Sequence, residues 1–409
     1  MNIFVVNCGS SSIKYQLFKW PSPSPICTGL VERIGLENSV ITHKVFISDQ
    51  EKVVKKTLDL PDHEAGMEEV CHLLTAPEIG VIQDPTEIEA VGHRIVHGGE
   101  SFSKTTIVTP EVKEEIKKLA ALAPLHNLAH HIGITVAQKI FTQATQIVVF
   151  DTAFHQTMPP KAYRYAIPNK FYTENGIRVY GFHGTSHKYV TGKALTYLNN
   201  PQSKIITIHL GNGCSMAAVN AGECIDTSMG LGPLDGLIMG TRCGNIDSSV
   251  VFYLVSQLGY DIGQVDTLFN KRSGMLGLTG YSDMRDVLKA VEEGDENAKL
   301  AYEMYIYRIK KYLGAYAVAL NGLDAIVFTA GVGENADKVR EDVCNNMGFL
   351  GIDIDKEKNG VRMSSVRDVS TPVSKVKILI IPTNEELEIA RECFELLEYQ
   401  GVKAAGQLA

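Results

Sequence analysis

One local pattern that occurs twice constrains the fold of this chain more than any other feature of its sequence. The first copy spans residues 3–18 around the turn 7–12, and the second spans residues 205–219 around Gly211, Asn212 and Gly213. Short apolar runs that end in a glycine turn and continue as an alternating run predict strand–turn–strand units. Two such units, about two hundred residues apart, are either unrelated hairpins or the marks of two related halves, each offering a backbone-lined turn to a phosphate chain.

The length of the chain favours two domains with a cleft between them. Its 409 residues are 44% hydrophobic and 21% charged, which is an ordinary globular composition. That length exceeds what a single hydrophobic core usually supports.

Charge and cysteine usage exclude several classes of protein. A net charge of −8 argues against nucleic acid as a partner, because a surface that follows phosphates should be basic. We expect no secretory signal and no membrane span, since residues 1–7 lack a basic segment and no run of roughly 18 apolar residues occurs. The eight cysteines are scattered without a C-x-x-C pair, which is typical of reduced thiols in a cytoplasmic protein and disfavours a structural zinc site.

The first turn has the composition of a phosphate-binding loop, although the common nucleotide motifs are missing. Neither the P-loop pattern nor the dinucleotide fingerprint occurs, so any phosphate must be bound by other loops. Ser10, Ser12 and Lys14 supply hydroxyl groups and one cation beside exposed backbone N–H groups, which suits a polyphosphate. A serine-rich hairpin turn without any ligand would have the same sequence.

Residues 93–97 place an arginine beside a small apolar side chain. If this segment is extended, the period-two alternation puts Arg94 and Val96 on one face of the strand. A guanidinium group matches a carboxylate or phosphate with two parallel hydrogen bonds, and a short acyl tail would then contact Val96. The alternative is a structural ion pair for Arg94.

Three further polar side chains lie where strands or helices begin or end. Asp151 follows the buried run 147–150, at the carboxyl end of a strand, where the sites of α/β sheets tend to lie. His183 and Arg242 lie among glycines in the segments 180–187 and 239–244. One such residue would indicate little, but several together favour a functional site.

Nine short motifs in order make the whole chain resemble the acetate kinase family. They are NCGSSSIK (7–14), GHRIVHGG (92–99), APLHN (123–127), FDTAFH (150–155), YGFHGTSH (180–187), HLGNG (209–213), GTR (240–242), GVGEN (331–335) and NEE (384–386).

The resemblance implies an α/β protein with mixed sheets: a two-domain actin-like ATPase fold with duplicated ribonuclease H-like cores around a nucleotide cleft. The implied domains are residues 1–150 with a C-terminal helix at about 386–409, and residues 151–385. The implied activity is reversible, direct in-line transfer of the γ-phosphoryl group of ATP to acetate, which gives acetyl phosphate and ADP. Mg²⁺, with Mn²⁺ as an alternative, and a cytoplasmic homodimer without nucleic acid or membrane partners complete this expectation.

The resemblance also implies roles for individual residues. The implied catalytic residues are Arg94, His126, Asp151, His183 and Arg242. The implied acyl pocket consists of Arg94, Val96, Leu125, Phe182 and Pro233. The implied nucleotide contacts are Ser10, Ser12, Lys14, His209, Leu210, Gly211, Asn212, Gly213, Asp283, Met284, Arg285, Gly331, Val332, Gly333, Glu334 and Asn335. Asn7 and Glu385 are the implied metal ligands, the carboxylate being the harder of the two.

The chain departs from the usual family pattern at Cys214, Cys243 and Asn245, which leaves the charged side chains unchanged but raises the question of oxidation sensitivity. Two alternatives to an acetate kinase remain at this point. A kinase for propionate or another short-chain carboxylate would share the motifs. An ATP-switched binding module related to Hsp70 or actin would share the phosphate loops, but would not need Arg94, His183 and Arg242.

Overall fold

The computed structural model describes residues 1–47, 50–123, 126–363 and 365–406. The chain forms two compact units, one made of Met1–Ala153 with Asn384–Ala409 and the other of Phe154–Thr383. The predicted division fell three residues earlier at the first boundary and two residues later at the second. Asp151 and Glu385 therefore belong to the first unit in the structure.

Each unit is built on one mixed sheet. The strands of the first unit are β1 (Asn2–Cys8), β2 (Ser12–Lys19), β3 (Pro25–Glu32), β4 (Ser39–Ile47), β5 (Gln50–Leu58), β6 (Ala90–Ile95), β7 (Thr106–Ile107) and β8 (Thr145–Phe150). Those of the second unit are β9 (Lys204–Leu210), β10 (Cys214–Asn220), β11 (Glu223–Thr227), β12 (Ala325–Thr329), β13 (Arg367–Asp368) and β14 (Lys377–Ile380).

Six strands of the first sheet follow the same order as the six strands of the second, which confirms the interpretation of two related halves. In the described chain the first sheet runs β5-β4-β3-β2-β1-β6-β8-β7, and the second runs β11-β10-β9-β12-β14-β13. The repeated units of the sequence are the hairpins β1–β2 and β9–β10, both antiparallel. β1 then pairs in parallel with β6, as β9 pairs in parallel with β12. The predicted α/β class with mixed, duplicated sheets is thereby confirmed.

Helices connect and cover these strands. In the first unit they are α1 (His63–Thr75), α2 (Pro110–Lys118), α3 (Asn127–Ile140) and α15 (Glu385–Gly406). In the second unit they are α4 (Pro160–Tyr163), α5 (Lys170–Thr173), α6 (Gly184–Leu198), α7 (Ser249–Ser256), α8 (Ile262–Lys271), α9 (Gly274–Thr279), α10 (Met284–Glu292), α11 (Glu296–Leu320), α12 (Ala330–Asn335), α13 (Asp337–Cys344) and α14 (Lys356–Gly360). Within the described part of the chain, no helix combines the length and the apolar character needed to cross a membrane.

The alternation of side chains along β1 shows how the first sheet is buried on both faces. Phe4 and Val6 belong to the core formed with α1 and α3, while Ile3 and Val5 belong to the core formed with α15. Successive side chains of a strand point to opposite faces, so a continuous apolar run is what a strand covered on both sides requires. Burying each such side chain contributes about 1.5–3 kcal/mol.

Candidate active site

Three neighbouring strands end at the same edge of the first sheet, and each carries a polar side chain on the face that α15 covers. β1, β6 and β8 are parallel neighbours. Asn7 continues the alternation of Ile3 and Val5 toward α15. Arg94 on β6 and Asp151 after β8 continue the same alternation on their own strands. Parallel strands bring their carboxyl ends together, so the sheet gathers these three side chains.

Arg94 and Asp151 form a two-point ion pair. Arg94 Nε lies 3.0 Å from Asp151 Oδ1, and Arg94 Nη2 lies 2.6 Å from Asp151 Oδ2. Burial by itself would lower the pKa of Arg94, but the charges of Asp151 and Glu385 outweigh it and raise that pKa. Arg94 has no other hydrogen bond to the residues that the structure describes, so its remaining N–H groups are available to an anion. Both alternatives for Arg94 are therefore compatible, because one guanidinium can hold Asp151 and a ligand.

Glu385 begins α15 beside this pair. Its Oε2 atom lies 3.7 Å from Arg94 Nε, and about four-fifths of its side chain is buried. Burial raises the pKa of Glu385, Arg94 opposes that rise, and the nearby Asp151 adds to it. The next residue, Glu386, pairs with Lys14 Nζ at 2.5 Å, so two of the three first-turn carboxylates of α15 face cationic groups of the sheet.

The serine turn between β1 and β2 is held from both sides. Within the turn, Gly9 N donates to Ser12 O at 2.8 Å, and a side chain at Gly9 would meet Ser12 Oγ at 2.7 Å. His63, at the start of α1, donates from Nε2 to the carbonyl oxygen of Gly9 at 2.7 Å. Ser10 and Ser12 are therefore presented by a fixed backbone, which is what a phosphate-binding turn requires.

The predicted acyl pocket is described only in part. Val96 is buried, but β6 ends at Ile95 and Val96 lies in a bend, so the alternation that placed it beside Arg94 does not extend to it. Its N–H instead donates to His130 Nδ1 at 3.3 Å. His126 occupies the N-cap position of α3 without a side-chain hydrogen bond to the helix. Burial lowers the pKa of His130 to about 3, and the nearby Arg94 and His126 act in the same direction. Leu125 lies outside the described residues.

The donor groups at this edge suit a hard divalent cation. No group of three or more His, Cys, Asp and Glu side chains able to hold a metal occurs in the described ranges. Mg²⁺ does not need such a cage, because it usually retains waters and binds one or two carboxylates together with substrate phosphates. Asn7 and Glu385, one amide and one carboxylate at the same sheet edge, match that requirement.

In the second unit, His183 precedes α6 in a left-handed conformation with φ of 55°. That conformation is unusual for a residue with a side chain and is found at sites where function fixes the backbone. The His183 ring stacks on His209 with 4.3 Å between centroids. Arg242 Nη1 donates to Pro233 O at 2.8 Å, and burial lowers the pKa of Arg242.

Gly213 marks the point where His183 and Arg242 meet. A β-carbon at Gly213 would lie 3.3 Å from His183 Nε2 and 3.6 Å from Arg242 Nη1. The imidazole and the guanidinium therefore converge above a backbone that carries no side chain. Two N–H-bearing groups aimed at one point suit the charge that develops on a transferring phosphoryl group. The neighbouring Phe182 is buried, and its carbonyl oxygen accepts from His155 Nε2 at 3.0 Å.

A cavity of about 800 Å³ in the second unit is large enough for a nucleotide. Predicted nucleotide contacts that line it are Gly211, Asn212, Asp283, Met284, Arg285, Gly331, Val332 and Asn335. Asp283 caps α10, and the hydrogen bond from the Arg285 side chain lowers the pKa of Asp283 to about 2. The predicted contacts that lie outside its lining are Ser10, Ser12, Lys14, His209, Leu210, Gly213, Gly333 and Glu334.

The Glu334 side chain binds backbone N–H groups of its own unit. Its Oε1 atom accepts from Ala330 N at 2.8 Å and from Thr383 N at 3.0 Å. Ala330 has a left-handed φ of 65°, so the carboxylate holds a strained entry into α12. Arg340, almost wholly buried, donates to Gly333 O at 2.9 Å. These two side chains fix the backbone of the loop 331–335.

Cys214 and Cys243, which depart from the family pattern, and Cys8 of the serine turn are poor candidates for redox chemistry. Burial raises the pKa of Cys214 to about 11 and that of Cys8 to about 12, and the pKa of the half-buried Cys243 is also raised. Thiolate, not thiol, is the reactive form, so these groups stay largely protonated at neutral pH. All eight cysteines lie in the described ranges as free thiols.

Several site residues escape sequence reasoning. Tyr305 of α11 and Arg362 line the nucleotide cavity, as do Met275 and Ser282, although no local motif marks them. The sequence could have indicated Ser215, because this residue closely follows the glycine turn 211–213 and lies at the start of β10. Its partners come from distant segments, which no local pattern reveals.

Comparison with known proteins shows which family the chain belongs to. The sequence profile of the acetokinase family matches residues 2–391. An acetate kinase of Flavobacterium johnsoniae is 56% identical over 398 residues, covering 97% of this chain and all of the relative. A crystal structure of Porphyromonas gingivalis acetate kinase shares 43% identity with a TM-score of 0.91, covering 97% of this chain and 99% of that one. A propionate kinase from Francisella tularensis shares 43% identity with a TM-score of 0.88, covering 96% and 98%.

The duplicated fold, the two clusters of polar groups and these relatives define a phosphotransferase that uses a carboxyl group as its acceptor. The full-length similarity to these kinases excludes the binding module as an alternative. The chain belongs to the acetokinase family.

Proposed function

We propose that this enzyme transfers the γ-phosphoryl group of ATP to acetate in a reversible, in-line reaction that yields acetyl phosphate and ADP. The observation that carries the proposal is the hydrogen bonding of Arg94. Its guanidinium is fixed by two hydrogen bonds to Asp151 and retains N–H groups for a second carboxylate. The full-length similarity to acetate kinases supports the same acceptor.

The main barrier to this chemistry is repulsion between two anions. An ionised carboxylate is already a nucleophile, so the reaction does not need a general base. Two unit charges about 4 Å apart repel by roughly 4 kcal/mol at an effective dielectric of 20. Arg94 holds the acceptor, while Arg242 and His183 stabilise the charge on the equatorial oxygens of the transferring group.

Asp151 orients Arg94 in this scheme and takes no proton from the substrate. Both of its oxygens accept hydrogen bonds from Arg94, and it is 1% exposed. A carboxylate engaged in this way holds the planar guanidinium in one orientation, which places the other N–H groups for the acceptor.

Asn7 and Glu385 would hold the divalent cation, for which Mg²⁺ is the first expectation and Mn²⁺ an alternative. When bound, such an ion neutralises negative charge on the phosphate chain of the nucleotide. The nucleotide itself would bind in the cavity of the second unit, where the loop 331–335 and the cap of α10 present backbone N–H groups. Lys14 and the serine turn are proposed as further phosphate contacts.

Acetate is preferred over propionate in this proposal because the acyl pocket is small. The proposed contacts of the methyl group are those that the family resemblance implies, Val96, Leu125, Phe182 and Pro233, while His126 is a proposed catalytic residue. The similarity to a propionate kinase favours propionate as a second acceptor, since the two activities occur on chains of comparable similarity to this one.

The second unit also supports the proposal of a homodimer. None of the residues of α7 is buried, although six of the eight are apolar or aromatic. Phe252 is 69% exposed and Tyr253 is 59% exposed, while no charge occurs between residues 248 and 260. A charge-free apolar helix is typical of a surface covered by a partner, and a second copy of the chain would present the same surface. Sedimentation of the wild type and of Phe252→Glu tests this proposal. We expect a dimeric wild type and a weakened dimer in Phe252→Glu, and a monomeric wild type would contradict the homodimer.

Trapping of the acyl phosphate tests the activity directly. The purified protein is incubated with ATP, Mg²⁺ and hydroxylamine, and the hydroxamate is measured with acetate, with propionate and without an acceptor. We expect acetate-dependent hydroxamate and an equal amount of ADP. Arg94→Ala should abolish the product while nucleotide binding persists, because Arg94 lies outside the nucleotide cavity. ADP release without any hydroxamate would refute the proposal.

A further inference from the structure

A chain of hydrogen bonds runs from His183 into the interior of the second unit. His183 Nδ1 lies 2.9 Å from Ser215 Oγ, and His187 Nε2 lies 2.8 Å from the same oxygen. His187 Nδ1 in turn lies 2.7 Å from Thr207 Oγ1. Two imidazoles and two hydroxyls thus form one continuous line, and none of the sequence motifs assigned a role to Ser215, His187 or Thr207.

The inner members of this line are sealed from water. Ser215, His187 and Thr207 have no exposed surface. Burial lowers the pKa of His187 well below its usual value, and the nearby His155 and His209 act in the same direction. His187 is therefore neutral, with one ring nitrogen that donates and one that accepts.

Two proton arrangements use the proton of the buried Ser215 hydroxyl within this line, whereas donation from both histidines to Ser215 would leave that proton unused. In the first, His187 donates from Nδ1 to Thr207, Ser215 donates to His187 Nε2, and His183 donates from Nδ1 to Ser215. In the second, every bond is reversed, so that Ser215 donates to His183 Nδ1. The first arrangement leaves the outer nitrogen of His183, Nε2, without a proton unless the ring becomes a cation. The second leaves Nε2 protonated in the neutral ring.

One observation selects the second arrangement, and another disfavours a cationic His183. Thr207 Oγ1 is 2.7 Å from His187 Nδ1 but 3.5 Å from its other acceptor, Ala217 O, so its proton is better used toward His187. The Arg242 guanidinium converges with His183 at Gly213, and a neighbouring positive charge disfavours a cationic imidazole.

We propose that Ser215 and His187 are positioning residues that fix the ring of His183 and keep its proton on Nε2. A neutral His183 then offers an N–H to the transferring phosphoryl group without a change of protonation. Arg242 supplies the positive charge beside it. This inference rests on the proposed function of His183, which it deepens.

Ser215→Ala tests the role of the bridging hydroxyl. Outer partners that orient an imidazole typically contribute about 10–100-fold, so kcat should fall by that factor while the KM values for acetate and ATP change little. Thr191→Val is the matched control, because Thr191 is a buried hydroxyl on the helix that follows His183, and its oxygen has no hydrogen-bond partner in the described structure. The control should keep the kcat of the wild type, and an unchanged kcat in Ser215→Ala would overturn the proposal.

A double substitution separates positioning from a general structural effect. If Ser215 acts through His183, the double variant His183→Ala with Ser215→Ala should have the kcat of His183→Ala within about twofold. Losses that multiply would overturn the proposal, because Ser215 would then act independently of His183. A near-normal kcat in His183→Ala alone would instead refute the proposed function of His183, so the two failures are distinguishable.

The position of the proton can be read independently of activity. In protein labelled with ¹⁵N-histidine, the nitrogen shifts of neutral His183 should report the Nε2–H tautomer. Thr207→Val removes the hydroxyl at the inner end without changing the size of the side chain, and should shift the His183 proton toward Nδ1. A wild-type His183 protonated on Nδ1, or a tautomer unaffected by Thr207→Val, would contradict the proposed direction of the line.

Discussion

Gly213→Ala should impair catalysis by displacing His183. The added β-carbon would lie 3.2 Å from His183 Cε1 and 3.3 Å from Nε2. Non-bonded carbon atoms prefer about 3.5–4.0 Å, so the ring must move by about 0.4 Å. A misplacement of about 1 Å can cost about 100-fold, and 0.4 Å on the same logarithmic scale predicts about a sixfold loss of kcat, or about 1 kcal/mol in the barrier.

The assay is acetate-dependent hydroxamate formation at saturating ATP, together with the affinity for ADP. The backbone at Gly213 does not have a left-handed φ, so alanine introduces no strain of its own. Gly192→Ala is the control, because a β-carbon there would meet nothing within 4 Å on helix α6. A wild-type kcat in Gly213→Ala would refute the reasoning. Weakened ADP binding at unchanged kcat would show that the β-carbon meets the nucleotide and not His183.

Three further substitutions test the remaining roles. Glu385→Ala should lower turnover severely and raise the Mg²⁺ concentration needed for half-maximal activity, because it removes a proposed metal ligand; a wild-type Mg²⁺ titration would exclude Glu385. Arg242→Lys should be nearly inactive, because lysine lacks the planar fork of arginine and its pKa falls on burial. A near-normal kcat in this variant would show that Arg242 has a structural role only. Val96→Ala should shift kcat/KM toward propionate, by up to about 10–200-fold for one methylene, and an unchanged acetate-to-propionate ratio would remove Val96 from the pocket.

Local patterns predicted the strand ends that carry the chemistry, but not that these ends are neighbours. Asp151 was placed at the end of a buried strand, and the alternation around Arg94 was recognised. That β1, β6 and β8 lie side by side depends on pairings between segments roughly 50–90 residues apart, which local sequence does not encode. The ion pair of Arg94 with Asp151 is therefore a result of the structure alone.

The sequence predicts alternation along a strand but does not show where the strand ends. The alternation was extended through Val96, whereas β6 stops at Ile95 and the chain bends. Glu334 matched a nucleotide loop by its motif, yet its carboxylate binds backbone N–H groups of its own unit. A motif specifies which residues are present, but only the fold determines which atoms they face.

The hydrogen bonds of Glu334 have a consequence for the thermodynamics of nucleotide binding. They hold Ala330 and Thr383 in place whether or not a ligand is present, so the loop 331–335 is ordered when the chain folds. Ordering a flexible loop at the moment of binding would otherwise reduce the affinity. Here that loss of conformational entropy is part of the folding free energy of the second unit. A nucleotide that binds this loop, as we propose, would therefore not lose affinity to the ordering of the loop.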